Sequence, residues 1–526
     1  MNWVDLPLVA GVAALCSTAM LLSWVKECGP PTDEGFLWYG ALRTLAGEVP
    51  IRDFRSYEPG RYYWCSLWMR VLGRGLLQLR IAVQAFFFLG LTCGLLALRL
   101  AGIGWPAVAV TGIALAVWAH KPYTLLEPAL AMIAVLAGVV LIVYPGYWAI
   151  VAAGIVAGAI SFFGVNYGLY SGAALLGLTL LEGLKSSSVE TLPGLGAYLA
   201  GALLGALPLL VMFASARGMF ALFLERRVKA VIARRTSNLP LPVPWPWRAP
   251  PPAVSGSGWG GWRFVERSIG RVVGAFFILL PAFAWSVALW AAVAPWSQIQ
   301  ARAALVAAAA VGAFEIHHAF SRADIYHLSQ SMTPFVIGFV ALAGHGLGWL
   351  AVAAILGTGT TLMVLATHPR VERYRHRGSY VRRDIGGSSF WIEQSSAQLI
   401  DSASSVVQDR LGPGDSLFAA PTLAELFPIL GRRSAVYDTY CLYPAGEREQ
   451  QRMLRSIDEE QVRLALVRDD PVDGREELRF SRTHPLVWSH LSTEFEELQV
   501  AGMPPSLHVL YRGRAASDMD MAERVS

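Results

Sequence analysis

The sequence predicts a polytopic α-helical membrane protein of about eleven transmembrane helices, followed by a soluble α/β domain. Three observations carry this. Of the 526 residues, 54% are hydrophobic and only 15% charged, whereas an ordinary soluble chain is nearer a quarter charged. The apolar residues fall in repeated runs of about 17–25, the length at which a helix crosses a bilayer, and mean hydropathy is +0.45. After His368 charge rises and the apolar runs shorten.

The apolar runs cover residues 5–25, 79–99, 103–118, 127–144, 147–163, 168–184, 195–216, 270–294, 300–316, 332–346 and 347–366. The first lacks a basic leader and a small-residue cleavage pattern, so it reads as a retained span. Pro106, Pro128, Pro208, Pro281 and Pro334 fall in spans or at their ends, where neighbouring helices can take up the broken hydrogen bonds. The expected division is a membrane module over 1–368 and a soluble domain over 369–526. In the latter, Phe390–Ile392, Ser416–Ala420 and Arg463–Val467 read as strands. Glu393–Leu411, Thr422–Leu430 and Glu447–Gln461 read as helices, and such alternation suggests an α/β fold.

Alternate crossing sends the first loop (27–78), the turns at Lys121, Asn166 and Arg322, the 217–268 loop and the C-terminal tail to one face. The other face receives only short connections. Polar chemistry gathered on one side suits an enzyme working at one surface; a transporter places polar groups mid-membrane in both halves.

The 217–268 loop runs Leu-Pro-Leu-Pro-Val-Pro-Trp-Pro-Trp over 239–247 and adds Trp259 and Trp262. Alternating proline favours extended backbone and tryptophan favours the headgroup layer. The loop therefore reads either as an interfacial cover for a lipid substrate or as a surface linker. Its Gly256–Gly261 run is no strand-to-helix phosphate loop, and no P-loop motif occurs, which argues against a nucleotide-sugar enzyme. The five cysteines form no disulfide framework, although Cys28 and Cys65 share a loop and can pair if it is oxidised.

The first loop is the most informative. It reads Thr32-Asp33-Glu34-Gly35-Phe36-Leu37-Trp38-Tyr39, then Gly47-Glu48-Val49-Pro50-Ile51-Arg52-Asp53-Phe54, then Tyr57-Glu58-Pro59-Gly60-Arg61-Tyr62-Tyr63. A short amphipathic helix, a turn and an aromatic, Arg-bearing helix are expected to lie in the interface. Asp33 and Glu34 stand at the membrane surface directly after the first span. They read either as a helix cap and first-turn acid or as catalytic carboxylates, and the two readings are compatible.

This ordered run resembles the GT-C superfamily of glycosyltransferases, in the bacterial branch related to protein O-mannosyltransferases and lipid A aminoarabinose transferases. The resemblance rests on Asp33-Glu34, Gly47–Phe54 and Tyr57–Tyr63, with the span count and hydrophilic tail extending it along the chain. It implies a GT-C-like fold and sugar transfer from a polyprenyl phosphate to a hydroxyl of a glycan, lipid or protein. Asp33 then matches the general base, with Glu34 beside it. Arg52, Asp53, Glu58 and Arg61 of the same run become supporting positions. The resemblance further implies a multi-pass protein of the bacterial inner membrane, with the site and the C-terminal domain facing the periplasm. The excess of Lys and Arg on that face would by itself favour the cytoplasm; the expectation follows the resemblance, because an enzyme gripping a lipid phosphate needs cations on its working face.

A second stretch, Glu315-Ile316-His317-His318-Ala319-Phe320-Ser321-Arg322-Ala323-Asp324-Ile325-Tyr326-His327, is expected on the same face as Asp33. Arg322 offers a forked, permanent charge for phosphate oxygens. His327 can donate to the same phosphate, and Asp324 can orient either. The alternatives are an Arg–Asp pair with histidines tying the turn, or a metal site of His317, His318, Asp324 and His327, whose spacing fits no standard pattern. Lys121 is a further candidate for the lipid phosphate, or a snorkelling anchor. Glu127 either helps bind acceptor or holds an arginine. No cofactor is required by the sequence, and a divalent metal is left open. Membrane lipids are expected partners and nucleic acid is not. Two other readings remain: an O-antigen ligase or polymerase, which typically lacks an acidic pair straight after the first span, and a lipid-linked glycan flippase, against which the nearly charge-free spans argue.

Overall fold

The computed structural model describes residues 5–29, 33–119, 122–186, 189–229, 231–232, 238–248, 260–346 and 348–513; at 122 and over 260–267 only the backbone is described. The chain divides into two compact units. One comprises Met1–Val25, Glu58–Arg61 and Arg80–Arg375; the other comprises Lys26–Tyr57, Tyr62–Leu79 and His376–Ser526. The C-terminal stretch of the second unit begins at His376, and most of the first loop packs with it.

The first unit is helical. Apolar helices hold Asp5–Trp24, Leu126–Val143, Ser268–Val293, Ala303–Ser321 and Trp349–Thr367, and Leu76–Leu100 enters it from residue 80 onward. Among the described residues these six helices are long and apolar enough to cross a bilayer, or eight spans if two bent pairs each count once. The expected count of eleven also draws on Trp105–Trp118, Tyr147–Phe163 and Val165–Lys185, helices at three of the expected positions. Helices suit this setting because every backbone group is satisfied within the segment.

Proline sets both bends. Thr191–Gly205 meets Leu207–Ser215 at 53°, and Ile325–Ser331 meets Thr333–Gly344 at 56°. Pro208 and Pro334 sit in the first turns after the breaks. There the missing N–H costs little, whereas inside a continuous helix the ring would clash with the carbonyl four residues back.

Small residues set the closest packing. Added Cβ atoms on Gly154 and Gly158 of Tyr147–Phe163 would fall 2.2 and 2.1 Å from the carbonyls of Tyr198 and Ala202. Those on Gly201 and Gly205 would meet the carbonyls of Val151 and Ile155 at 2.3 and 2.0 Å. Two facing Gly-x-x-x-Gly pairs therefore let these backbones touch. Ala303–Ser321 is buried around nearly its whole first half, from Ala303 to Ala309. It packs against Leu126–Val143, Val165–Lys185, Gly260–Val293 and Thr333–Gly344, the placement an all-round apolar helix demands.

The second unit carries two sheets. β1 (Tyr380–Ile385) and β2 (Ser388–Glu393) form a hairpin. Gly386 and Gly387, at φ of 55° and 80°, supply its two-residue turn. A four-stranded sheet has the order β3-β4-β6-β5, from Leu417–Ala420, Leu464–Arg468, Leu507–Tyr511 and Glu496–Glu497. β3 and β4 are parallel, and the other pairs antiparallel. Helix Glu447–Glu459 buries Gln450, Met453 and Ile457 at helical spacing. Met453 and Ile457 join a core with Phe418, Val467, Phe480 and Leu491. The expected strands and the helices at 394–410 and 447–459 are present. The helix expected over 422–430 shrinks to Leu426–Leu430.

Helix Asp33–Leu45 is built into this second unit. Phe36, Leu37, Trp38, Tyr39 and Ala41 are all buried, so the expected amphipathic pattern gives way to burial on nearly every side. An added Cβ on Gly35 would lie 2.2 Å from that of Glu425. Tyr39 stacks on Phe427 at 4.7 Å, and its hydroxyl accepts the Ser434 N–H at 2.7 Å. Ahead of the helix, Cys28 N–H donates to the Trp391 carbonyl and Trp391 N–H to that of Lys26, both at 2.8 Å. Cys28 and Cys65 are buried and unbridged; the pairing considered from sequence is not made.

Candidate functional site

Asp33 and Glu34 form the first turn of helix Asp33–Leu45, where the helix dipole favours negative charge. The Tyr440 hydroxyl donates to Asp33 Oδ1. Phe36, one turn further along the same helix, lies with its ring 5.1 Å from that of Tyr57 and 5.2 Å from that of Tyr440. Thr32, which directly precedes them, falls outside the described residues.

The Gly47–Phe54 run is a built turn in the same unit. Val49 N–H donates to Asp53 Oδ2 at 2.7 Å, and Arg52 Nε to Asp53 Oδ1 at 2.7 Å. The hydrogen bond from Arg52 above all, with the Val49 N–H, holds the Asp53 carboxyl below its ordinary range despite partial burial. Arg43 lies beneath, buried, donating to Glu48 Oε2 at 2.7 Å and to the Asp53 carbonyl at 3.2 Å. It also lies 4.8 Å from the Phe54 ring centre. Arg52 and Asp53 are therefore bonded to each other and serve this turn. Arg43 carried no such signal in sequence, because a lone arginine late in an apolar-rich helix looks like a surface anchor.

The first unit holds a second polar group. Arg61 Nη1 donates to Glu127 Oε1 at 2.5 Å and its Nε to the Phe163 carbonyl at 2.6 Å. Gly60 makes the approach possible, since a Cβ there would fall 2.7 Å from the Phe162 carbonyl. Of the two readings of Glu127, the contact with Arg61 is the one visible in the structure. Glu58 stands 3.9 Å from Arg227.

Beyond Gly164, which abuts both Arg61 and Tyr167, a line of rings follows. Tyr167 lies 5.9 Å from Tyr170 and 5.6 Å from His318, and His318 lies 5.0 Å from His327. The Tyr170 hydroxyl bonds His317 Nδ1 at 2.8 Å, and His318 Nε2 bonds Gln330 Oε1 at 2.8 Å. Glu315 is fully buried, and among the described residues neither of its carboxylate oxygens has a hydrogen-bond partner. A carboxylate inside an apolar helix is itself the sequence signal for such a residue.

The Arg322 turn closes the line. Asp324 caps Ile325–Ser331 by accepting the N–H groups of Tyr326 and His327. Its Oδ1 also meets His327 Nδ1 at 2.8 Å, and its Oδ2 accepts from Arg322 Nε at 2.9 Å. Burial works against the charged form of Asp324. The His327 hydrogen bonds and the Arg322 guanidinium outweigh it and hold the carboxyl down to about 2. Arg322 Nη1 also donates to the Leu239 carbonyl at 3.1 Å, which ties the start of the Pro/Trp segment to the turn. In that segment Trp245 and Trp247 stack in parallel at 5.4 Å, and Trp247 is exposed. Trp259 and Lys121 lie outside the described residues, as does the side chain of Trp262.

The structure thus joins Arg322, Asp324 and His327 in one cluster and Arg61 with Glu127 in another, both in the first unit, while Asp33, Glu34, Arg52 and Asp53 belong to the second. Among the described residues, no three His, Cys, Asp or Glu side chains gather to hold a metal ion. His317 and His318 turn instead to Tyr170 and Gln330.

No protein-family model matches the sequence, and no curated protein does. Solved structures do resemble it. ArnT from Cupriavidus metallidurans bound to undecaprenyl phosphate aligns over 98% of this chain and 100% of its own, with a TM-score of 0.53 at 15% identity. The same protein in the apo state aligns over 97% and 99% with a TM-score of 0.44 at 14% identity. The oligosaccharyltransferase of Archaeoglobus fulgidus in the apo form aligns over 97% of this chain and 76% of its own, with a TM-score of 0.46 at 10% identity. The match to the undecaprenyl-phosphate-bound structure shows a shared fold.

Proposed function

We infer that this chain is a membrane glycosyltransferase that moves a sugar from a polyprenyl-phosphate carrier to an acceptor hydroxyl. The observation that carries the reading is the full-length fold match to a protein solved with undecaprenyl phosphate, taken with the ordered first-loop run that begins at Asp33. The acceptor is a glycan, a lipid or a protein at the outer face of the bacterial inner membrane.

In this reading Asp33 takes the acceptor proton as the glycosidic bond breaks, with Glu34 the neighbouring carboxylate. General-base help of this kind is worth about 10²–10⁴ in rate. Attack in a single step inverts the anomeric carbon. The departing phosphate carries growing negative charge, which cationic donors stabilise; Arg322, His327 and Lys121 are assigned to it. Asp324 supports this by fixing the direction of the Arg322 fork and the His327 ring. The Arg61–Glu127 pair and the Arg52–Asp53 turn hold their elements in shape, and Glu58 is a further supporting position.

The test is transfer by purified protein from synthetic polyprenyl-phosphate pentoses and hexoses, with and without chelator. Asp33→Asn should lower turnover about 10²–10⁴-fold, and Arg322→Ala should raise the donor concentration needed. Full activity in Asp33→Asn removes the base role from that residue. Absence of transfer from every polyprenyl-phosphate donor removes the donor class.

A further inference from the structure

We propose that Tyr440 of the C-terminal segment is a positioning residue for Asp33, so that the C-terminal domain helps set the geometry of the chemistry. This rests on the reading of Asp33 as the base. A carboxylate at the start of a helix rotates about two torsions. A base must present one oxygen along a defined line, since misplacement costs rate. The Tyr440 hydroxyl donates to Asp33 Oδ1 and fixes the plane of the carboxylate. A donor to an ionised carboxylate forms one of the stronger hydrogen bonds available.

The phenol is itself held. Asp33 and Phe36 stand three residues apart, on one face of their helix. The carboxylate grips the hydroxyl while the Phe36 ring lies against the Tyr440 ring at 5.2 Å. Tyr57 braces Phe36 from another side, edge-on at 84°. Behind Tyr440, its own N–H donates to Asp438 Oδ1 at 3.0 Å, and Asp438 Oδ2 pairs with Arg55. Cys441 N–H donates to the Pro421 carbonyl at 2.8 Å. The Tyr437 hydroxyl donates to the Ile51 carbonyl at 2.6 Å, and Arg55 N–H to that of Tyr437 at 2.9 Å. The segment 437–441 is thus stitched to the first loop ahead of the phenol and to Pro421 behind it. A segment that served only as a scaffold would need no hydroxyl at this point; a phenylalanine would fill the space against Phe36.

The experiment compares wild type, Tyr440→Phe and Asp33→Asn in the full-length protein, with the polyprenyl-phosphate pentose and hexose panel as donors. Tyr440→Phe is expected to lower kcat about tenfold, the loss of one charge-assisted hydrogen bond, with KM for donor and acceptor unchanged and the melting temperature retained. In parallel, modification of Asp33 by a water-soluble carbodiimide, read by mass spectrometry, should rise several-fold in Tyr440→Phe. An unchanged kcat per folded molecule, or unchanged Asp33 labelling, overturns the proposal. If Asp33→Asn is inactive while Tyr440→Phe is fully active, Tyr440 alone loses its role. If Asp33→Asn is active, the base assignment fails and this proposal with it. The labelling arm reports on the Asp33–Tyr440 contact without any turnover.

Discussion

Arg61 and Glu127, 66 positions apart in sequence, meet as a buried ion pair in the helical unit, with side chains 7% and 10% exposed. Removing one partner strands the other charge, which costs about 3–5 kcal/mol. Arg61→Ala and Glu127→Ala should each lower the melting temperature of the detergent-solubilised protein sharply. The double variant should lose less than the sum of the two. Additive losses would mean that the two side chains act independently.

Asp324 makes stability acid-sensitive. Its folded carboxyl is held down to about 2, below the ordinary value near 3.9. The associated stability, on the order of 2 kcal/mol, is present above pH ~4 and is lost as pH falls toward the folded value. Asp324→Asn should therefore be less stable than wild type at neutral pH, with the gap closing between pH ~4 and ~2. A pH-independent gap in unfolding midpoints would contradict this.

Glu315 is expected to behave in the opposite way to Glu127. A carboxyl group buried without hydrogen-bond partners among the described residues is costly whether it keeps its charge or gives it up. Glutamine has the same shape and cannot ionise. Glu315→Gln should melt at or above the wild-type temperature. A marked loss would show that a charged partner depends on this side chain.

Gly158 tests the packing of Tyr147–Phe163 on Thr191–Gly205. Alanine is the better helix former by about 1 kcal/mol, yet its Cβ would stand 2.1 Å from the Ala202 carbonyl. Overpacking of this kind costs about 1–3 kcal/mol, so Gly158→Ala should be destabilising. Gly177→Ala, where nothing lies within 4 Å of the new Cβ, should be neutral or stabilising. Equal effects at the two sites would mean that the helices do not make this contact.

Much of the candidate site could be read from residue order. Asp33 follows directly on the first apolar run, and Arg322, Asp324 and His327 stand in a short polar stretch between apolar runs, where a charge has no reason to be unless it caps, anchors or reacts. The Arg322–Asp324 pair spans two residues, so residue order alone suggests it, while the Asp324 cap emerges only from where the Ile325–Ser331 helix begins. Arg43, Tyr167 and Tyr440 were missed for a common reason. Each is an ordinary residue in its own segment and gains meaning from a partner elsewhere: Glu48 and Phe54 for Arg43, His318 for Tyr167, Asp33 for Tyr440. The Gly154/Gly158 and Gly201/Gly205 contacts were also passed over, because glycine in an apolar run gives no sign of which backbone it will meet.

By itself the sequence determined the helical, membrane-spanning class, the strands and principal helices of the C-terminal part, and the first-loop run beginning at Asp33. These follow from hydropathy, spacing and chemistry along the chain, which are properties of neighbours. Only the tertiary structure decided that most of the first loop belongs with the C-terminal domain, that Arg61 pairs with Glu127, and that a tyrosine more than four hundred positions later donates to Asp33. Such pairings depend on which buried polar groups find partners once the core has closed, and linear order does not encode that choice locally.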